Sequence, residues 1–456
     1  MAERRIHCHR VMLESGWATG QLLELDSDGF VSAISDHGGE QVDSELKGPV
    51  IPGMSNCHSH AFQRLMAGLT SGTSAGVDNF WSWREAMYGF ARQLTPEQIE
   101  ACAAWLYAEM LSAGYTSCGE FHYLHHQADG TPYPNLAETS ARILSAANRS
   151  GISLTLLPVY YQSSGFGNKG VEPHQRRFAN SLDDYLAIID QVQKMVAHSP
   201  VLRSGIAPHS LRAVPTSALA ELLGASDDRL PVHIHVAEQL AEVEQCVDHL
   251  GARPVQWLLD SVNVDGRWCL VHATHMEPQE ARLAAASGAI AGLCPSTEAD
   301  LGDGFFNAAQ WLADGGKMSI GSDSNLVVSP SEELRLLEFT ERLRRRQRNV
   351  LRSENQPCGM FLWQHAARNG ARAIDQPAGR IAKGCRADLV ELNPDHPLLA
   401  SRSEESILET VVFAGLEGMI RSVFVAGNQV VSDGLHVNHE LLAGAFKEVS
   451  GALLQA

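Results

Sequence analysis

The stretch GMSNCHSHAFQRLMAG (residues 53–68) sets His58 and His60 two positions apart, directly after a short apolar run. Residues i and i+2 of a β-strand share a face, so both imidazoles can reach one ion. Further along, HVAEQ carries His235 and, three residues on, Glu238; LVHATH carries His272 and His275; IGSDS carries Asp323. Three imidazoles and a carboxylate with an open position, here His58, His60, His235 and Asp323, suit Zn²⁺, and Fe²⁺ or Mn²⁺ also fit such donors. Taken singly each signal is weak. A lone histidine at a strand end is more often a hydrogen-bonded polar residue, and His233 reads that way beside His235. Asp323 alone could cap a helix. The ordered combination argues for one site binding one divalent metal.

Such a site needs elements that converge. Eight strand-like runs, PVIPGMSNCH, TSCGEFHY, SLTLLPVYY, SGIAPHSL, PVHIHVAE, WCLVHATH, AIAGLCPS and KMSIGSD, alternate with amphipathic stretches. One of these, residues 95–114, has Thr95 as an N-cap and Pro96 at the first helical position. The alternation predicts an α/β fold, a parallel (β/α)8 barrel over residues 51–382. A doubly wound sheet is the alternative; no G-x-G-x-x-G or P-loop supports it. Barrel strands deliver their C-terminal ends to one face. There the sequence places Glu120, His122 and Tyr123 after the second strand, and His209 and Arg212 after the fourth. Residues 1–50 and 383–456 read as a small β-sandwich domain built from both termini, with short alternating strands and Gly and Asp turns. The glycine-rich stretch 68–81 reads as a loop over the barrel mouth.

Composition excludes several classes. The chain has 456 residues, 44% of them apolar, enough for a large core. Its net charge of −18 argues against nucleic acid or an anionic membrane as partner. No apolar run approaches the roughly 18 residues of a membrane span, and no apolar segment follows the basic N-terminus as in a signal peptide. Nine scattered cysteines without a C-x-x-C pair read as reduced thiols, hence a cytoplasmic protein. The basic run ERLRRRQRNVLR (341–352) reads as the solvated end of a helix that starts near Glu332 and Glu333, acid first and base last as the helix dipole prefers.

The ordered set H-x-H, H-x-x-E, His and Asp resembles the amidohydrolase superfamily of metal-dependent hydrolases, over nearly the whole chain. NGARAI (369–374) and GRIAKGCRADLVELN (379–393) resemble that superfamily's exit from its barrel. HVAEQ resembles the deaminase branch, which implies a single metal. A second metal usually needs a bridging carboxylated lysine, and no lysine occurs between Lys194 and Lys317. The shorter stretches NCHSHAFQR, WSWRE, EFHYLHH, APHSLRAV and CPSTEADLGDG are similar to the formimidoylglutamate deiminases. That likeness implies hydrolysis of N-formimidoyl-L-glutamate to N-formyl-L-glutamate and ammonia, part of histidine degradation, by water activated at the metal. Asp323 would then accept the water proton, His272 orient the water and Glu238 protonate the leaving nitrogen. Arg84 and Arg212 would pair the two substrate carboxylates, with Gln63, Tyr123 and His209 as hydrogen-bonding partners. A homodimer is implied by the family alone. Phe80, Trp81 and Trp83 could instead form an aromatic slot, which keeps a guanine- or adenosine-type aminohydrolase as the runner-up. Imidazolonepropionate hydrolysis is a further rival. A non-catalytic scaffold on the same fold would be expected to have lost metal ligands that this chain keeps.

Overall fold

The computed structural model describes residues 4–70, 79–415 and 417–455. Seventeen strands run in chain order: β1 (Arg4–Leu13), β2 (Gly16–Leu25), β3 (Val31–Asp36), β4 (Ser44–Pro52), β5 (Met54–Ser59), β6 (Tyr115–His122), β7 (Ser153–Tyr160), β8 (Leu202–Ser204), β9 (Ala207–Pro208), β10 (Val232–Val236), β11 (Trp268–His272), β12 (Ile290–Leu293), β13 (Lys317–Ile320), β14 (Leu389–Leu392), β15 (Ile420–Val425), β16 (Asn428–Ser432) and β17 (Leu435–His436).

From β5 to β13 every strand pairing is parallel. β5, β6, β7 and β8 form one arc, with β9 pairing β7; β10, β11, β12 and β13 form the other. Two isolated bridges join the arcs, Ile206 to Val232 and Ser59 to Asp323. The sheet therefore closes into the expected barrel. Every residue of β5, β6, β7, β10, β11 and β12 is buried, as befits parallel strands covered on both faces. At the second joint the Asp323 N–H donates to the His58 carbonyl and the His60 N–H to the Asp323 carbonyl, both at 3.0 Å.

Both termini build one further eight-stranded sheet, in the order β17-β16-β15-β14-β4-β1-β2-β3. Ile6, Cys8, Val11, Leu23, Leu46, Val50, Leu389 and Phe424 fill its core. The run PVIPGMSNCH is not one strand. It divides at Gly53 between β4, in this sheet, and β5, in the barrel. A Cβ at Gly53 would lie 2.3 Å from the Thr116 side chain, so the chain changes sheets where only glycine fits.

Helix α1 (Phe80–Gln93) starts at Asn79, whose side chain accepts from the Trp81 and Ser82 N–H groups. Helix α2 (Pro96–Ser112) starts as expected, with Thr95 and Gln98 capping each other's backbone N–H. The basic run ends the helix Pro330–Arg345, where Arg342 pairs with Glu338 at 2.6 Å and Arg345 with Glu341 at 2.8 Å. All nine cysteines are buried and unpaired. Among the described residues no helix is long and apolar enough to cross a membrane. The expected loop over the mouth, 68–81, falls mostly on residues 71–78, outside the described residues.

Candidate active site

Alternation along β5 turns the His58 side chain toward the barrel axis, and His60 follows one step beyond the strand. His235 lies on β10, and Asp323 three residues past β13. Their donor atoms converge. His58 Nε2 lies 3.2 Å from His60 Nε2 and 3.0 Å from His235 Nε2. Asp323 Oδ1 lies 3.1 Å from His60 Nε2 and 3.5 Å from His58 Nε2. In a tetrahedral shell with bonds of about 2.0–2.1 Å, neighbouring ligand atoms sit about 3.3 Å apart, and these four straddle that spacing. His60 donates from Nδ1 to the Phe121 carbonyl at 2.9 Å, and His235 from Nδ1 to the His209 carbonyl at 3.1 Å. Both rings thus present a bare Nε2 inward, the ligating tautomer.

The electrostatics agree. Burial pushes the His58 imidazole down to about 3 and His235 well below its usual value, so both are neutral. Burial alone would raise Asp323, but the neighbouring His58 and His60 rings outweigh it and hold the carboxyl well below its usual value. Bare imidazole lone pairs packed this closely repel one another unless a cation lies between them. The donor set fits a divalent ion.

His272, at the end of β11, donates from Nδ1 to Glu298 Oε1 at 3.2 Å, while its Nε2 faces Asp323 Oδ2 at 3.7 Å and Glu238 Oε1 at 3.8 Å. Burial disfavours its proton, but the carboxylates of Glu238, Glu298 and Asp323 outweigh that and raise it well above its usual value. Burial lifts the Glu238 carboxyl to about 7, with His272 opposing and Glu242 adding. The Glu242 carboxylate accepts the N–H groups of Ala237 and Glu238, both at 3.0 Å, and so fixes the turn after β10. Ala237, His272, Ala273, Asp323 and Asn325 all have left-handed backbone angles, φ from 45° to 66°. Such strain concentrates where a site dictates the chain path.

Gln63, Arg84, Tyr123, His209 and Arg212 all line one cavity, together with His60, His235, Glu238, His272 and Asp323. Gln63 donates to the Tyr123 hydroxyl at 2.7 Å. Burial, then the nearby Arg212, push the His209 imidazole well down, so that ring is neutral. The two arginines come from different elements, Arg84 from α1 and Arg212 from the chain after β9. The Arg84 guanidinium covers the Trp81 ring at 4.6 Å, and that of Arg212 approaches the same ring at 5.7 Å. Among the described residues neither arginine has an ion-pair partner, and Arg84 Nε is buried without a hydrogen bond. Phe80 and Trp83 also line the cavity.

Other candidates lie elsewhere. His233 donates to the Ala373 carbonyl at 2.8 Å, and His275 to that of Asp303 at 2.8 Å. Glu120 accepts the Ala61 N–H at 2.6 Å behind the metal ligands, and His122 is buried among its neighbours. Sequence reading missed the support for Asp323. Asn325 donates to the His60 and Asp323 carbonyls at 3.0 and 2.9 Å, and its Oδ1 accepts from the Ser322 hydroxyl at 2.6 Å. Asn56 accepts the Ser322 N–H at 3.1 Å. Asn56 stands two before His58, so the same alternation could have pointed to it. Glu298 lies inside CPSTEADLGDG, where its spacing from His272 carries no signal.

The amidohydrolase family matches residues 50–430. The chain is 48% identical to formimidoylglutamate deiminase from Pseudomonas aeruginosa over 453 residues, 98% of this chain and 99% of the relative. An amidohydrolase crystal structure from Brucella melitensis superposes with a TM-score of 0.93 at 44% identity, covering 99% of this chain and all of that one. A zinc-bound adenosine deaminase from Xanthomonas campestris shares the fold, with a TM-score of 0.83 at 19% identity over 99% of this chain and 98% of its own.

Proposed function

This chain belongs to the amidohydrolase family, and we propose that it hydrolyses N-formimidoyl-L-glutamate to N-formyl-L-glutamate and ammonia. One observation carries the substrate: two arginines without ion-pair partners among the described residues share the cavity of the metal-ligating cluster. In a chain of net charge −18, a buried guanidinium, Arg212, beside a half-buried one, Arg84, calls for an anion. Arginine forks match carboxylates bidentately, and a glutamyl group brings two. The full-length identity to the Pseudomonas deiminase supports the same reading.

His58, His60, His235 and Asp323 hold one divalent metal, which we assign as Zn²⁺ from its nitrogen-rich ligands. When bound, such an ion lowers the pKa of water from about 15.7 to about 7. Asp323, with Oδ2 facing His272, accepts the proton of the attacking water. His272, anchored by Glu298, orients that water through Nε2. Glu238, with a carboxyl poised near 7, passes a proton to the departing nitrogen, which leaves as ammonia. Arg84 and Arg212 hold the carboxylates, and Gln63, Tyr123 and His209 complete the polar wall. The reading includes a barrel over 51–382, a terminal β-sandwich domain (1–50 and 383–456), a cytoplasmic location, a homodimer, and no nucleic-acid or membrane partner.

The aromatic lining, Phe80, Trp83, Tyr88, Tyr161 and Phe178, favours the runner-up, a nucleobase or nucleoside aminohydrolase. Ammonia release separates the two. N-formimidoyl-L-glutamate is expected to turn over, while guanine, adenosine and an uncharged formamidine are not. Preferential turnover of guanine or adenosine would overturn the proposal.

A further inference from the structure

A second group of ligating side chains lies on the outer face of the terminal sheet, away from the barrel. On β1, Ile6 and Cys8 are buried while His7 and His9 face outward. Glu45 of β4 stands opposite His7 in parallel register, and the register shifts between Cys8 and Arg10. That irregularity brings His9 to the same carboxylate. Glu45 Oε1 lies 2.8 Å from His9 Nε2 and 3.8 Å from His7 Nδ1. One ligand atom from each of the three can be chosen with all of them within 4.8 Å of one another. His37 backs the group, its ring 4.0 Å from that of His7 and its backbone N–H donating to the Gly20 carbonyl at 2.7 Å.

A simple ion pair explains His9 and Glu45 but not His7. The His7 nitrogen is too far from the carboxylate for a hydrogen bond, yet the two separations, 2.8 and 3.8 Å, straddle the roughly 3.3 Å between ligand atoms of a tetrahedral shell. We propose that His7, His9 and Glu45 form a second divalent-metal site, one that takes borderline ions such as Zn²⁺, Ni²⁺ or Cu²⁺ with water in the remaining positions. Imidazole nitrogen selects these over Mg²⁺ or Ca²⁺. With three ligands, two of them exposed, the site binds more loosely than the buried four-ligand centre and empties on dialysis.

The test uses holoenzyme dialysed to one metal per chain, then titrated with Zn²⁺ by calorimetry, with metal counted by mass spectrometry. Wild type is expected to take up a second equivalent. The His7→Ala/His9→Ala double variant is expected to keep the first metal and its circular dichroism but bind the second at least about tenfold more weakly. One added equivalent of Cu²⁺ should give a nitrogen-split electron paramagnetic resonance signal in wild type that the variant loses. If the double variant does not fold, Glu45→Gln, at an exposed side chain, is read by the same titration. No second equivalent in wild type, or unchanged affinity in the variants, would overturn the site.

Discussion

At the residue scale the proposed chemistry divides between the His58, His60, His235 and Asp323 cluster and the groups assigned to protons and charge. Glu238 stands beside His272 and outside the four-ligand cluster. Glu238→Gln keeps the shape and removes the titratable proton. It is expected to retain the metal and lose about 10²-fold or more in kcat, as for a general acid. Turnover within about tenfold of wild type, or about 1.4 kcal/mol of barrier, would take the proton transfer away from this residue. The proposed substrate turns on the arginines. Removing one partner of a desolvated charge pair typically costs about 2–5 kcal/mol. Arg212→Met should therefore lower kcat/KM for N-formimidoyl-L-glutamate by about 30-fold or more with metal content unchanged. Arg84→Met should act likewise, because its guanidinium shares the Trp81 ring with that of Arg212. If both variants match wild type, the carboxylate clamp fails while the metal chemistry stands.

At the scale of elements, the barrel closes beside the His58, His60 and Asp323 cluster. β5 meets the chain after β13 through only a few backbone bonds, and side chains complete the seam. Asn56 and Asn325 bind Ser322, and Asn325 ties the His60 and Asp323 carbonyls together. Asn325 has φ 59°, a conformation that asparagine and aspartate tolerate. Asn325→Asp keeps that backbone and turns an acceptor toward two carbonyls. Such a loss of buried donors costs about 1–3 kcal/mol. Denaturant titration should show a loss of that order, and metal affinity should fall with it, since Asp323 is no longer fixed. Wild-type values for both would leave the seam to the backbone alone.

At the scale of the whole molecule, the acidic interior makes stability depend on pH. Glu333 is fully buried on the helix Pro330–Arg345, where it accepts the Ser296 N–H at 2.9 Å. Burial lifts its carboxyl to about 8, against an unfolded value near 4.5. The folded chain therefore holds a proton that the unfolded chain releases. The associated stability is fully present below about 4.5 and is lost as pH rises through about 8. Glu333→Gln removes this term, so its unfolding free energy should decline less steeply across that window, by about 2 kcal/mol or more. Parallel pH profiles for the two proteins would show that Glu333 stays ionised.

How much was legible beforehand follows from the range of the forces involved. Strand periodicity is local, so the H-x-H pair, the alternation of strands with helices, the Thr95 cap and the basic helix end could be read from short windows, whereas the run SGIAPHSL is divided between the end of β8 and the two-residue β9. Side-chain direction in a strand is equally local, which is why His58, His60 and His235 were assignable to one ion once a barrel was assumed. Long-range contacts had no such signature. Nothing in the neighbourhood of Glu298 marks it as the partner of His272, 26 residues away, and nothing near Asn325 marks it as the tie to His60. The division of residues 49–58 at Gly53 also escaped, because only the approach of Thr116 makes glycine necessary there. The sequence by itself determined which donors exist and which face of each strand carries them. The tertiary structure alone decided which of them meet, because closing the barrel sets distances between groups that are remote along the chain.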